Sequence, residues 1–445
     1  MDKIITKLRF TMNKKWILLA LVCLAGRSFA QIQFNSLQEV LNYADGHSFT
    51  IQASVAQQAI EQSGKRQAQS SLYPTLNIVT GFTDNITLLP TLVPAKLFNP
   101  TASDNEYSEM TFGKKYIYNA GLVAQWDILN FQKIFAIQTA NLKTNAGKLN
   151  TQKVKYETYN KLASVYYSIL LINKSLSIYN ENVKVTDSLR KNAQEKYQKG
   201  IISEEDMNKV LIRHLQNKKN LEYAQTNLQQ LHCQFQMLLN TKKTLLVSGE
   251  IDEPLVLNTQ INTTHPDVLW QQSQVKISES VVKQNKSLHT PSLSMQYQYN
   301  YNWATNEITN LSGANKLPSQ YLGVKLSLPI FNGFLTESKI RESKTQLKIQ
   351  QMQLENITLN QQKEDETLEL QYKQTGNTLE KNKEILELQQ KNDAHTENKY
   401  EIGIIGLDER MTKYNDLLTA QYNYLQSLAD FSLAQYQIYI RQINF

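Results

Sequence analysis

The chain has 445 residues, of which 41% are hydrophobic and 20% charged, with only 15 Gly and 9 Pro. This composition argues against a series of compact domains and favours long amphipathic helices, each with one polar face. The formal charge of +7 is spread along the chain, which argues against a nucleic-acid partner.

The N-terminus is typical of a secretory signal peptide, predicted over residues 1–30. Lys14 and Lys15 precede an apolar run at 16–25, and Ser28-Phe29-Ala30 forms a small-x-small cleavage site. A transmembrane anchor is the alternative, but a span needs roughly 20 apolar residues. Lipidation at Cys23 is a second alternative, disfavoured by Val22 before it. Translation starts at Met1 or Met12.

The sequence contains no signature of an enzyme, a metal site or a cofactor site. After cleavage only Cys233 remains, so no intramolecular disulfide is expected. There is no phosphate-binding glycine loop, no Gly-x-Ser-x-Gly elbow and no pair of histidines at ligand spacing. We therefore predict a protein that is not an enzyme.

In the first half, hydrophobic periodicity predicts helix, strand, loop, strand, long helix and helix. The corresponding ranges are 36–69, about 75–88, 89–115, 116–130, 131–199 and 203–240. The prolines at 90, 94 and 100 are expected to prevent regular structure in the loop. Leu142, Leu149 and Tyr156 in the long helix are spaced by seven, which is typical of a coiled coil.

Residues 241–264 are predicted to be an irregular linker, after which the same order returns. The predicted ranges are a helix at 265–288, strands at about 292–305 and 321–332, a long helix at 334–400 and a last helix at 407–441. We therefore predict a first repeat at 31–240 and a second at 265–445. The predicted fold class is α+β and mostly α-helical.

A short motif marks the end of each long helix. Lys-Tyr-x-x-Gly-Ile-Ile at 196–202 returns at 399–405, and acidic residues follow each copy. Each copy is interpreted as the tip of a helical hairpin. The long helices, 130–200 and 332–403, would each extend roughly 105 Å, which places the tips far from the strands.

The strands have the alternation of outer-membrane barrels, with aromatic residues on one face and polar residues on the other. Four strands cannot close a barrel, and open edges are not tolerated in lipid. A cyclic trimer that shares twelve strands is the simplest solution. A soluble sheet with one wet face is the alternative.

The pattern resembles the TolC-like outer membrane efflux factor family. Three segments carry the resemblance: Tyr197-x-x-Gly200-x-x-Ser203-x-x-Asp206, Tyr400-x-x-Gly403-x-x-Gly406-x-x-Glu409 and Leu72-Tyr73-Pro74-x-Leu76. The resemblance implies a homotrimer with a β-barrel in outer-membrane lipid and a coiled-coil helical barrel crossing the periplasm. It also implies a periplasmic adaptor protein and, through it, an inner-membrane pump.

The resemblance places the periplasmic aperture at the tips. The implied tip residues are Tyr197, Gly200, Ile202, Ser203, Glu205, Asp206, Tyr400, Gly403, Ile405, Gly406, Asp408, Glu409 and Arg410. Family members often have a basic latch residue two positions after the second tip glycine, where this chain has Ile405. A latch must therefore be apolar or use Arg410.

The residues expected to face lipid are Tyr116, Tyr118, Trp126, Tyr297, Tyr299, Tyr301 and Trp303. Asp127 and Lys325 fall on the polar faces, where they line the lumen or are ordinary wet-face residues. The tip carboxylates either form an aperture ring or only stabilise helix N-termini. For the whole chain, the alternative function is a periplasmic coiled-coil adaptor or scaffold with a small soluble β-domain.

Overall fold

The structure is a computed structural model that describes residues 31–249, 261 and 263–443. The predicted signal peptide and half of the predicted linker lie outside these residues. The chain forms two compact units. The first comprises the described parts of Met1–Gln57, Lys148–Trp270 and Glu355–Phe445, and the second comprises Gln58–Gly147 and Gln271–Leu354.

Seven α-helices and eight strands are found in the described part of the chain. The helices are α1 (Leu37–His47), α2 (Phe49–Ser70), α3 (Phe131–Gln198), α4 (Glu204–Leu238), α5 (Pro266–Lys286), α6 (Leu335–Glu401) and α7 (Leu407–Gln442). The strands are β1 (Ile32–Phe34), β2 (Thr75–Asp84), β3 (Pro90–Pro94), β4 (Tyr107–Thr111), β5 (Tyr116–Leu129), β6 (Leu245–Val247), β7 (Ser292–Thr305) and β8 (Asn315–Ser327). The fold is thus mostly helical, in the α+β class.

The first unit contains the largest buried apolar cluster. Val40, Leu162, Phe235 and Ile440 are fully buried there and come from four different helices. The strands β1 and β6 pair in parallel beside them, and Phe34 lies opposite Val247. The predicted linker therefore contains a short strand, because Leu245 and Val247 find apolar partners in this core.

The second unit contains a four-stranded antiparallel sheet in the order β2-β5-β7-β8. β3 and β4 form a separate antiparallel ribbon. β2 and β8 are the outer strands of the larger sheet, so one side of each has no neighbouring strand among the described residues.

The single helix predicted at 36–69 is wrong, because the chain breaks at Ser48. Ser48 has an extended ψ of 121°, and its N–H donates to the carbonyl of Ala44. Its own carbonyl accepts from the N–H of Gln52, at the start of α2. Serine is favoured at such helix ends because it competes with the helical backbone for hydrogen bonds.

The structure corrects three further boundaries. The predicted loop 89–115 contains the β3–β4 ribbon, in which Pro90 and Pro94 occupy end positions that need no interior ladder bond. β2 ends at Asp84 and not at about 88, and the N–H of Asn85 makes the last backbone contact with this part of β5, to the carbonyl of Lys115.

The strand predicted at 321–332 lies at 315–327 and contains Pro318, opposite Tyr301. A proline is tolerated there because β8 is an outer strand. The strand ends before Leu328 and Pro329, which has no N–H to continue the ladder.

Candidate functional site

The first tip is a helix C-terminus closed by a left-handed glycine. Gly200 has a φ of 68°, and its N–H donates to the carbonyl of Tyr197 at 2.8 Å. The N–H of Ile201 donates to the carbonyl of Lys196 at 2.9 Å. These two bonds form a Schellman motif, which requires a residue that tolerates positive φ.

The second tip has the same local geometry. Gly403 has a φ of 78°, and its N–H donates to the carbonyl of Tyr400 at 3.1 Å. The N–H of Ile404 donates to the carbonyl of Lys399 at 2.9 Å. The two copies of the sequence motif therefore form the same turn. Both turns leave isoleucine side chains exposed: Ile201, Ile402 and Ile404.

The helix that follows each turn starts differently in the two copies. Ser203 is the N-cap of α4 and accepts a hydrogen bond from the N–H of Asp206 at 3.1 Å. The Ser203 hydroxyl also donates to the Asp206 carboxylate at 2.8 Å, which lowers the pKa of Asp206. Gly406 holds the N-cap of α7 without a side-chain hydrogen bond. There, only the acidic first turn of Asp408 and Glu409 complements the helix dipole.

Lys209 lies among the acidic residues of both tips, and the sequence analysis missed it. Its ammonium is 3.1 Å from Glu205, 3.7 Å from Asp206 and 3.5 Å from Asp408. The hydrogen bond to Glu205 raises the pKa of Lys209. Helical spacing from Glu205 and Asp206 is a signal for two of these contacts. The contact with Asp408 requires the tertiary structure.

A second cross-link joins the two copies of the motif. The ammonium of Lys196 donates to the hydroxyl of Tyr400 at 3.2 Å and lies 4.6 Å from the centre of its ring. Ile202 and Leu407 both pack against a small buried cluster of Ala193, Met207 and Val210. Polar and apolar contacts therefore hold the two tips together within one chain.

Arg410 is buried and fully engaged within the second hairpin. Its side chain is 3% exposed, forms an ion pair with Asp393 and lies 4.0 Å from Glu397. The guanidinium also lies 5.4 Å from the centre of the Tyr414 ring. Arg410 therefore links α6 to α7. Ile405, the position at which family members often have a basic latch residue, is half-buried at the turn.

Strand register brings the predicted lipid-facing aromatic residues to one face of the sheet. Tyr118 pairs with Trp303, Leu122 with Tyr299 and Trp126 with Met295. Directly paired residues point to the same face of a sheet. β2 and β8 extend this face with Leu76, Ile78, Phe82, Leu322, Val324 and Leu326, each at least half exposed.

The opposite face is mainly polar. Asp127 and Lys325 both pair with Ser294, so they share this face. The Asp127 carboxylate is 2.7 Å from the ammonium of Lys133, which also donates to the carbonyl of Ser71. Asp127 is thus neutralised by a neighbour from the start of α3.

Within the described ranges, no group of three or more His, Cys, Asp or Glu side chains is arranged to hold a metal ion. None of the helices in those ranges combines the length and the hydropathy that crossing a membrane requires.

Solved structures with this fold include membrane proteins and an outer membrane channel. The outer membrane protein VceC of Vibrio cholerae superposes with a TM-score of 0.72 at 13% identity, covering 91% of this chain and 96% of VceC. The CmeC outer membrane channel of Campylobacter jejuni superposes with a TM-score of 0.72 at 14% identity, covering 91% of this chain and 85% of CmeC. A membrane protein from Pseudomonas aeruginosa superposes with a TM-score of 0.75 at 12% identity, covering 91% of this chain and 92% of that protein. The chain therefore has the same fold as these three proteins.

Residues 40–241 match the model of a protein family described as outer membrane efflux protein. This confirms the resemblance drawn from the tip and strand motifs. No curated protein matches the chain in sequence.

Proposed function

We propose that the chain is the passive outer-membrane exit duct of a tripartite efflux or type I secretion system. The observation that carries this proposal is the apolar face of the four-stranded sheet. Ile78, Leu322 and Leu326 on that face are 79%, 65% and 70% exposed. A contiguous apolar face of this kind needs an apolar environment, which outer-membrane lipid provides.

The free edges of the sheet support a trimer. β2 and β8 are both outer strands, and an unpaired strand edge in lipid leaves backbone groups without partners. In the proposed assembly, β8 of one protomer pairs with β2 of the next. Three protomers then close one twelve-stranded barrel, whose polar lumen contains Asp127 and Lys325.

The matching elements on either side of the linker support two internal repeats. The long helices α3 and α6 have 68 and 67 residues, and each ends in the same glycine turn. In the proposed channel the two turns of each protomer form the periplasmic aperture. They are also the surface that docks a periplasmic adaptor protein, which connects the channel to an inner-membrane pump.

The membrane role of the sheet is tested with two adjacent residues of β7. Tyr297 lies on the apolar face and Gln296 on the opposite one, and both are exposed. An arginine on a lipid face costs about 2–4 kcal/mol at mid-bilayer, whereas a lumen position tolerates it. Tyr297→Arg is therefore expected to abolish the outer-membrane trimer, and the matched control Gln296→Arg to retain it.

The measurement is cell fractionation followed by gel migration with and without heating. The channel proposal expects the wild-type protein in the outer membrane as a heat-modifiable trimer. A periplasmic monomer, or equal behaviour of the two arginine variants, would instead indicate the scaffold function.

The aperture role of the tip carboxylates has its own test. A threefold ring of carboxylates favours cations, because it concentrates negative potential at the pore. Asp206→Ala with Glu409→Ala is expected to lower the cation preference measured in planar bilayers. Lys209→Gln is expected to raise it, because Lys209 lies within 4 Å of three of the carboxylates. Unchanged selectivity in both proteins would remove the aperture role.

A further inference from the structure

The first unit contains a cavity of about 340 Å³ between α3, α4 and α7. Its polar wall includes Asn182 from α3, Arg213 and Asn217 from α4, and Asn415 from α7. The volume is at the lower end of the range for small-molecule sites, roughly 300–1,000 Å³. None of the residues that line it is acidic.

Two hydrogen-bond donors on one face of α4 have no acceptor among the residues that the structure describes. Asn217 is 6% exposed, and its buried amide nitrogen has no hydrogen-bond partner. Leaving such a buried donor unsatisfied is unfavourable, because the group has lost its hydrogen bonds to water. Arg213 lies one helical turn earlier on the same face, and its guanidinium forms no ion pair or hydrogen bond with the residues that the structure describes.

Two other polar groups of the wall already have hydrogen-bond partners. The Asn182 side-chain carbonyl accepts from the hydroxyl of Tyr414 at 3.0 Å. The hydroxyl of Ser175 donates to the carbonyl of Leu171 at 2.9 Å. The guanidinium of Arg213 and the amide N–H groups of Asn217 therefore supply free donors and one positive charge, and an anion is the ligand that matches these two residues.

Apolar and aromatic residues form another part of the cavity wall. Ile178, Leu418 and Leu425 line it together with the rings of Tyr179 and Tyr422. Burial raises the pKa of Tyr179, so its phenol is neutral at physiological pH. A ligand that fits has an anionic group at Arg213 and Asn217 and a compact apolar body.

We infer that this cavity binds a small organic carboxylate with an apolar or aromatic body. The guanidinium of Arg213 has the planar fork that pairs with a carboxylate through two parallel hydrogen bonds, and the amide of Asn217 supplies a third donor. A single cation matches a monoanion better than a phosphate dianion. This ligand site is independent of the channel proposal, because its residues belong to neither the tips nor the sheet.

The test measures binding of benzoate to the purified full-length protein by isothermal titration calorimetry. Benzamide is the neutral analogue of the same shape, and inorganic phosphate is the alternative anion. We expect benzoate to bind with a Kd of about 1 mM or below. Arg213→Gln is expected to raise that Kd about tenfold or more, because the charge-assisted bonds are lost.

Two further variants separate the site from general effects on the helix. Lys218→Gln removes an exposed charge on the same helix outside the cavity and is expected to leave the Kd unchanged. Asn217→Ala retains Arg213 and is expected to weaken benzoate binding less than Arg213→Gln. Equal binding of benzoate and benzamide, an unchanged Kd in Arg213→Gln, preference for phosphate, or no benzoate binding would each overturn the inference.

Discussion

Arg410→Ala is expected to destabilise the first unit by about 3–5 kcal/mol, the usual loss when one partner of a buried ion pair is removed. Arg410 is 3% exposed, and the side chain of Asp393, its partner, is 14% exposed. Without the guanidinium, the Asp393 carboxylate has no close cation to offset its desolvation. The cation–π contact with Tyr414 is lost as well.

The measurement is hydrogen exchange of the backbone amides in the adjoining ends of α6 and α7. Lys413→Ala is the matched control, because Lys413 is 45% exposed and pairs with Asp416 at 3.6 Å. Exposed ion pairs contribute about 0–1 kcal/mol to stability, so Lys413→Ala is expected to leave the hydrogen-exchange rates nearly unchanged. Replacing both Arg410 and Asp393 by apolar residues should recover most of the loss. Similar exchange in the Arg410 and Lys413 variants would refute the buried-pair argument.

Acidification from pH 6.5 to 4 is expected to lower the folding stability of the first unit, because the unfolded chain binds a proton at His265 more readily than the folded protein does. This side chain is 6% exposed. Burial, reinforced by the nearby Arg441 guanidinium, lowers its pKa to about 4. Its Nδ1 accepts a hydrogen bond from the N–H of Asp267 at 3.1 Å, a bond that the protonated ring cannot accept.

The sign of the effect follows from which state binds the proton. In the unfolded chain His265 takes up a proton near pH 6.5, whereas the folded protein resists protonation down to about pH 4. The contribution of His265 is therefore complete above pH 6.5 and is lost as the pH falls. The loss approaches roughly 3 kcal/mol at pH 4.

The charged groups around His265 contribute to the same pH range. Arg441 and Lys153 oppose its protonation, whereas Asp267 and Asp365 favour it. Arg441 is held 2.7 Å from Asp365, and Lys153 lies 3.5 Å from Asp267. A variant of His265 alone isolates its share of the pH dependence.

Urea unfolding at pH 7.5 and pH 4.5 measures this effect. His265→Asn retains a side-chain acceptor for the Asp267 N–H but cannot be protonated, so a smaller difference between the two pH values is expected. His395→Gln, at an exposed position of α6, is the control. A pH dependence of the same size in the wild type and His265→Asn would contradict this prediction.

Elements whose structure depends on local periodicity could be predicted from the sequence. Aromatic and polar residues alternate along β7, and the observed strand Ser292–Thr305 coincides with the predicted range. α3 ends at Gln198, one residue before the predicted end, because Gly200 supplies the left-handed turn. These features depend on spacings within a few residues, and a single sequence contains that information.

The tertiary structure alone decided which distant residues meet. Leu245–Val247 forms a strand because Leu245 and Val247 have apolar partners in the core. β8 includes Pro318 because β8 is an outer strand of its sheet. Arg410 was predicted as a tip residue, yet its ion pair with Asp393 required the packing of α6 against α7. Lys209 reaches Asp408 across the two tips for the same reason. Local sequence determined the long helices, the strand β7 and the two tip turns, whereas the partners of buried charges and strand edges depend on contacts between segments far apart in the chain.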